Sequence, residues 1–275
     1  MFTLNCKGRL WVVDKPQVMG IINCTPDSFY AGSRITDASA IGKKALEMQE
    51  QGATIVDLGA QSTRPGSELV SADTEWDRLL PALEAVKTTC PELYISVDTF
   101  YASVAEKALR AGADIVNDIS GGHREPDILS VAATYHAPFI CMHMKGTPAT
   151  MQQLAHYKNI TAELIDYFIE RMETCAHAGI TDVIIDPGFG FAKNIEHNFQ
   201  LLKELQSLSI LNRPILAGLS RKTSIWKTLG IGPDQALNGT TVLNTIALMQ
   251  GASFLRVHDV REAWEAIQLT QHCLK

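Results

Sequence analysis

The sequence predicts an α/β protein, a single (β/α)8 TIM barrel with a short N-terminal hairpin, and three observations lead to that class. Eight short apolar runs rich in β-branched residues recur along the chain, each ending in a polar or glycine-containing cluster. Amphipathic stretches with apolar residues at helical spacing lie between them. The length, 275 residues, suits one such domain, because α/β barrels of roughly 250 residues form single units. Near-continuous apolar strands fit a parallel sheet covered on both faces, and their alternation with helices requires right-handed βαβ crossovers. The predicted domain is therefore 1–275, with the hairpin in 1–16 and the barrel in 18–275.

The elements follow in order. Phe2 to Val13, with Lys7-Gly8 as its turn, reads as a hairpin across one end of the barrel. The strand runs are Val18 to Asn23, Thr54 to Ala60, Tyr94 to Asp98, Asp114 to Ile119, Pro138 to His143, Asp182 to Asp186, Pro214 to Gly218 and Ala252 to Val257. Helical spacing marks Ala38 to Gln51, Thr74 to Lys87, Ser103 to Ala111, Ala162 to His177 and Ile195 to Leu205. The helix after the seventh run carries an added piece, Pro233 to Met249. Gly52-Ala53, Gly112-Ala113 and Gly251-Ala252 stand just before strands, where a glycine in the left-handed region stops a helix.

Composition narrows the function. Hydrophobic residues make up 46% and charged residues 20%, which is globular rather than disordered. The 24 basic and 30 acidic residues give a charge of −6, and without a Lys/Arg run of five no nucleic-acid partner is expected. No window approaches the apolar run of about 20 residues that spans a bilayer, and Met1 to Gly20 lacks the unbroken apolar stretch of a signal peptide. We expect no membrane partner and a cytoplasmic protein. The six cysteines form no C-x-x-C pair, as reduced thiols would.

Barrel active sites are built at the carboxyl ends of the strands. There the runs end in Asn23 to Phe29, Gln61 to Gly66, Asp98-Thr99, Asn117-Asp118, Met142-His143-Met144, Asp186 to Phe191, Ser220 to Thr223 and Arg256-Val257-His258. Asp98, Asn117 and Asp186 close apolar strands, where an unpaired carboxylate is costly. A bound heterocycle rich in N–H donors would satisfy them; the alternative is a backbone group or a neighbouring Arg or Lys. Thr63, Arg64, Arg256 and His258 suit a phosphate or pyrophosphate, although Arg64 alone reads first as a solvated side chain. Lys222 and Thr223 open a helix whose N-terminus favours an anion, or Ser220 or Thr223 simply caps it. A dinucleotide fingerprint, a P-loop, H-E-x-x-H and G-x-S-x-G are missing, and the histidines lack paired zinc spacing.

Eight of these stretches, in order, resemble dihydropteroate synthases: Met19-Gly20-Ile21-Ile22-Asn23-Cys24-Thr25-Pro26-Asp27-Ser28-Phe29, Ser62-Thr63-Arg64-Pro65-Gly66, Ser96-Val97-Asp98-Thr99, Asn117-Asp118-Ile119, Met142-His143-Met144-Lys145-Gly146-Thr147-Pro148, Asp186-Pro187-Gly188-Phe189-Gly190-Phe191, Ser220-Arg221-Lys222 and Arg256-Val257-His258-Asp259. The resemblance implies condensation of 6-hydroxymethyl-7,8-dihydropterin diphosphate with p-aminobenzoate, with Mg2+, in folate synthesis. It implies that Asp98, Asn117, Asp186, Lys222 and Arg256 hold the pterin in a slot shaped by Met142, Phe191 and Gly218. Asn23 would bind the metal with pyrophosphate, beside Thr63, Arg64, Arg256 and His258. The aminobenzoate would meet Thr25, Phe29, Arg64, Pro65, Phe191, Ser220 and Thr223, and sulfonamides would compete there. Asp98, Asp186, Lys222, Arg256 and His258 would carry an SN1-like reaction, in a homodimer joined through outer helices.

Three positions depart from the family pattern. Ala31 stands where an acidic loop residue is frequent, Gln61 where Glu is common, and Thr223 where Ser is frequent. Two competing readings are a pterin-dependent methyltransferase barrel, which needs no diphosphate site, and a pterin-binding paralogue without turnover.

Overall fold

The chain opens with an antiparallel hairpin of β1 (Phe2–Cys6) and β2 (Arg9–Val13). Its turn places Lys7 at φ 56° and Gly8 at φ 91°, the two positive values that match a tight hairpin to strand twist. The computed structural model describes residues 1–25, 38–61 and 69–273. Among these residues, eight parallel strands follow: β3 (Gln17–Asn23), β4 (Ile55–Gly59), β5 (Tyr94–Asp98), β6 (Ile115–Asp118), β7 (Phe139–Met142), β8 (Val183–Asp186), β9 (Leu216–Ala217) and β10 (Phe254–Val257). They run β8-β7-β6-β5-β4-β3-β10-β9, and a single parallel bridge from Ile185 to Ile215 brings the two ends together.

The predicted helices appear as α1 (Ala38–Glu50), α2 (Ala72–Thr89), α3 (Ala102–Ala111), α5 (Ile160–Ala178) and α6 (Ile195–Lys203). The added piece is α8 (Leu237–Met249). Completing the outer ring are α4 (Asp127–Thr134), α7 (Thr223–Leu229) and α9 (Val260–Cys273). The seventh strand is shorter than its apolar run, two residues instead of Pro214 to Gly218. Pro214 has no N–H to give, and only its carbonyl, accepting from Ile185 N at 3.0 Å, ties it to β8.

Strand alternation sets the site. Met19, Ile55, Ile115, Ile140, Ile184, Leu216 and Phe254 pack with Leu4, Cys6 and Val13 of the hairpin to floor the barrel. Their neighbours Val18, Val56, Val116, Phe139, Ile185, Ala217 and Leu255 belong to the layer between strands and helices. Because side chains repeat on one face every second residue, the next inward positions are Asp57, Asn117, Met142, Asp186, Gly218 and Arg256. The interior thus changes from an apolar floor to a polar mouth within one pleat.

Candidate active site

Arg256 organises the mouth. Its Nε donates to Asp57 Oδ2 at 2.6 Å and its Nη2 to Asp98 Oδ2 at 2.8 Å. Asp57 Oδ2 also accepts from Asn117 Nδ2 at 3.0 Å. One guanidinium and one amide therefore bind β4, β5, β6 and β10 together. Burial raises the Asp98 carboxyl to about 7 against the pull of Arg256, with the Asp57 charge adding to the rise. Asp57 is fully buried, and its Oδ1 has no hydrogen-bond partner among the described residues.

Across the mouth, Asp186 Oδ1 accepts from Gly188 N at 2.7 Å, and burial raises its pKa above the usual carboxylate range. Lys222 sets its Nζ 4.4 Å from the centre of the Phe191 ring. Burial, then the Arg256 charge, lowers its pKa to about 8. Asp98, Asn117, Asp186, Lys222 and Arg256 share a narrow cleft with Met142, Phe191 and Gly218. Its apolar walls and converging polar groups are the composition of a small-molecule site. A larger open depression between His156 and Asp166 is lined by the start of α5 and carries none of these groups. The two alternatives for the carboxylates are both present in part: Asp98 has its Arg and Asp186 its backbone N–H, yet both still line the cleft.

The rim holds Ser220, Thr223 and His258. Ser220 Oγ accepts from His258 N at 3.2 Å and lies 2.9 Å from His258 Nδ1. The hydroxyl keeps its O–H and a second lone pair for the ring nitrogen, so this contact ties the His258 ring to the loop after β9 in either tautomer. Desolvation, with repulsion from Arg256, pushes His258 down to about 4, so the ring is neutral near pH 7. The capping alternative fails: Lys222 is the N-cap residue of α7, no side chain caps it, and Thr223 is its exposed first residue. Arg221, at φ 52°, is locked by Asp259 through two contacts of 2.9 Å and by the carbonyls of Pro233 and Asp234, which fixes the loop before α7.

Asn23 ends β3 with its side chain exposed, and Thr25 is half-buried beyond it. Phe29, Ala31, Thr63, Arg64 and Pro65 lie outside the described residues. Gln61 is turned to the backbone of Val70, donating at 2.9 Å and accepting at 3.1 Å. Among the described residues no three His, Cys, Asp or Glu side chains converge on a metal position. A lone amide oxygen from Asn23 fits Mg2+ that arrives on phosphate oxygens and keeps much of its own water, rather than an all-protein cage.

Sequence reasoning missed Asp57 and Lys193. Asp57 interrupts an apolar run as Asp98 does, but one residue pair deeper, so a reading of strand ends passes over it. Lys193 trails the Asp186 to Phe191 stretch without a periodic signal, and is buried.

The family model described as "Pterin binding enzyme" matches residues 19–258. The chain is 43% identical over 273 residues to the dihydropteroate synthase of Escherichia coli K12, covering 98% of this chain and 96% of that protein. It superposes with a TM-score of 0.93 on the Yersinia pestis dihydropteroate synthase in a sulfonamide complex, at 38% identity and 99% of both chains. The Xanthomonas albilineans enzyme in complex with 7,8-dihydropteroate gives a TM-score of 0.89 at 36% identity, again over 99% of both chains.

Proposed function

This chain belongs to the dihydropteroate synthase family of pterin binding enzymes, and we propose that its barrel mouth holds the pterin of 6-hydroxymethyl-7,8-dihydropterin diphosphate between Met142 and Phe191. The reaction joins this diphosphate to p-aminobenzoate and yields 7,8-dihydropteroate and pyrophosphate for folate synthesis. The observation that carries the assignment of residues is the convergence of Asp98, Asn117, Asp186 and Lys222 on one narrow cleft with apolar walls. Carboxylates only accept hydrogen bonds, an amide does both and an ammonium only donates, which together match the edge of a heterocycle carrying N–H groups and ring acceptors.

The diphosphate would lie at the rim, against Arg256, His258 and Asn23, with Thr63 and Arg64 from the neighbouring loop. Mg2+ bound to the diphosphate and Asn23 would supply further neutralisation of charge on the leaving group. As the bond from the pterin methylene carbon to oxygen breaks, its electron pair leaves with pyrophosphate, and positive charge spreads from the methylene into the ring. The carboxylates of Asp98 and Asp186 stabilise that charge in a low-dielectric cleft. The amine lone pair then forms the new carbon–nitrogen bond, and its proton passes to solvent. This is an SN1-like path, which suits a weakly nucleophilic aromatic amine. The aminobenzoate carboxylate would rest near Ser220 and Thr223 at the start of α7, with Thr25, Phe29, Arg64, Pro65 and Phe191 around its ring. Sulfonamides would compete for the same place.

Val242, Ile246 and Met249 leave an exposed apolar stripe along α8, which supports a homodimer joined through outer helices. No described helix is long and apolar enough to cross a membrane, and we assign the enzyme to the cytoplasm. The test is incubation with the dihydropterin diphosphate and Mg2+, with and without p-aminobenzoate. Dihydropteroate formed only with the amine supports the assignment. Pterin binding without product points instead to a paralogue that has lost turnover, with Ala31 the first position to restore to an acid.

A further inference from the structure

Lys193 is 3% exposed, and its ammonium is filled by neutral acceptors from two different loops. It donates to His143 Nδ1 at 2.9 Å, to the Phe191 carbonyl at 3.0 Å and to the Gly188 carbonyl at 3.1 Å, with the His143 carbonyl at 3.5 Å. Three hydrogens and three near acceptors leave the ammonium satisfied. His143 follows β7, where Met142 forms one wall of the cleft. Gly188 and Phe191 follow β8, where Asp186 sits. The two loops touch closely: a Cβ on Gly188, at φ 70°, would come within 2.1 Å of the His143 carbonyl oxygen.

The contacts then run inward. Gly188 uses its carbonyl on Lys193 and its N–H on Asp186 Oδ1, at 2.7 Å. The carbonyl and the N–H belong to the two peptide groups flanking the Gly188 Cα, so holding the first restrains the second and with it the carboxylate. Phe191, whose carbonyl also meets Lys193, presents its ring to Lys222. Asn198 supports the far side of the loop, accepting from Gly190 N at 2.7 Å and donating to the Asn194 carbonyl at 2.6 Å. His143 takes its bond on Nδ1 and stays neutral, because burial, reinforced by the Lys193 charge, pushes its pKa down to about 2. A buried cation is costly, and a methionine of similar length would fill the space without that cost. What the ammonium alone provides is a three-way junction of fixed direction.

We propose that Lys193 is a positioning residue for pterin binding, clamping the loops after β7 and β8 so that the Gly188 N–H aims Asp186 at the ligand. The proposal rests on the reading that this cleft takes a pterin. The probe is pterin-6-carboxylate, titrated into wild type, Lys193→Met, Asp186→Asn and the double variant, with thermal melts alongside. We expect Lys193→Met to melt cooperatively and to weaken binding about tenfold, and the same substitution in the Asp186→Asn background to cost about threefold or less. The conservative Lys193→Gln, which keeps two N–H donors, should recover part of the loss. Wild-type affinity in Lys193→Met, or an equal loss in both backgrounds, overturns the proposal while leaving the pterin reading intact. Absence of binding to wild type overturns the pterin reading and the proposal with it. Should Lys193→Met fail to fold, side-chain 15N spectra of wild type decide: pterin binding must shift the Lys193 ammonium resonance, and an unchanged resonance at saturation overturns the proposal.

Discussion

Arg256 on β10 and Asp57 on β4 are joined at 2.6 Å inside the barrel, with Asp57 completely enclosed and Arg256 partly open to the mouth. The pair connects the fold to the site, because the same guanidinium also reaches Asp98, and Asp57 also receives the Asn117 amide. Removing one member of a buried ion pair leaves the other uncompensated. Asp57→Ala should therefore cost about 3 kcal/mol in urea unfolding and should also raise KM for the pterin substrate. An unchanged KM would show that Asp57 is structural only.

The raised pKa of Asp98 has a signed consequence. An ordinary aspartate loses its proton near pH 4, whereas burial holds this one to about 7. Between those values the folded protein keeps a proton that the unfolded chain has released, so this group lowers stability as pH rises through the window. Stabilising a cation needs the ionised form. The kcat/KM for the pterin diphosphate should therefore climb with pH and level off above about 7, as Asp98 ionises. Asp98→Asn should flatten that limb. Because both enzymes meet the same substrate, a limb that persists in the variant belongs to the substrate and contradicts this assignment.

An SN1-like path separates bond breaking from amine attack. With 18O in the ester oxygen between the pterin methylene carbon and phosphorus and no amine present, the enzyme should move label into non-bridging positions or release pyrophosphate slowly by hydrolysis. If neither occurs, and pyrophosphate appears only in step with the amine, the path is concerted.

The floor should be separable from the mouth. Trp11 of the hairpin stacks on Tyr94 at 4.3 Å and meets Phe254 edge-on at 5.7 Å. Trp11→Ala should destabilise the fold by about 2–3 kcal/mol, read from chemical unfolding, and leave both KM values unchanged at low temperature. A rise in KM would show that the floor tunes the site.

Much of this architecture is written in local chemistry. The alternation of Ile115, Val116 and Asn117 puts one apolar group on the floor, one under the helices and one amide in the mouth, which a period of two predicts directly. Lys7-Gly8 was legible for the same reason, since a two-residue turn needs residues that accept positive φ. Other features depend on partners far along the chain. The eight residues of α4 are too short and too apolar to show a polar face. The shortening of β9 follows from which neighbour Pro214 meets. Arg256 is readable as an anion ligand, but its commitment to Asp57, 199 positions away, appears only when the barrel closes. Lys193 is legible only once two loops are seen to share it.

The central claim is that the carboxylates of the barrel mouth hold the pterin, and Asp186→Asn tests it most directly. The amide oxygen of the variant can still accept from Gly188 N, so the loop keeps its shape while the charge is lost. Calorimetric titration of the dihydropterin diphosphate with Mg2+ should show affinity reduced by about 10- to 100-fold in a variant that melts like wild type. Wild-type affinity in that folded variant would contradict the account.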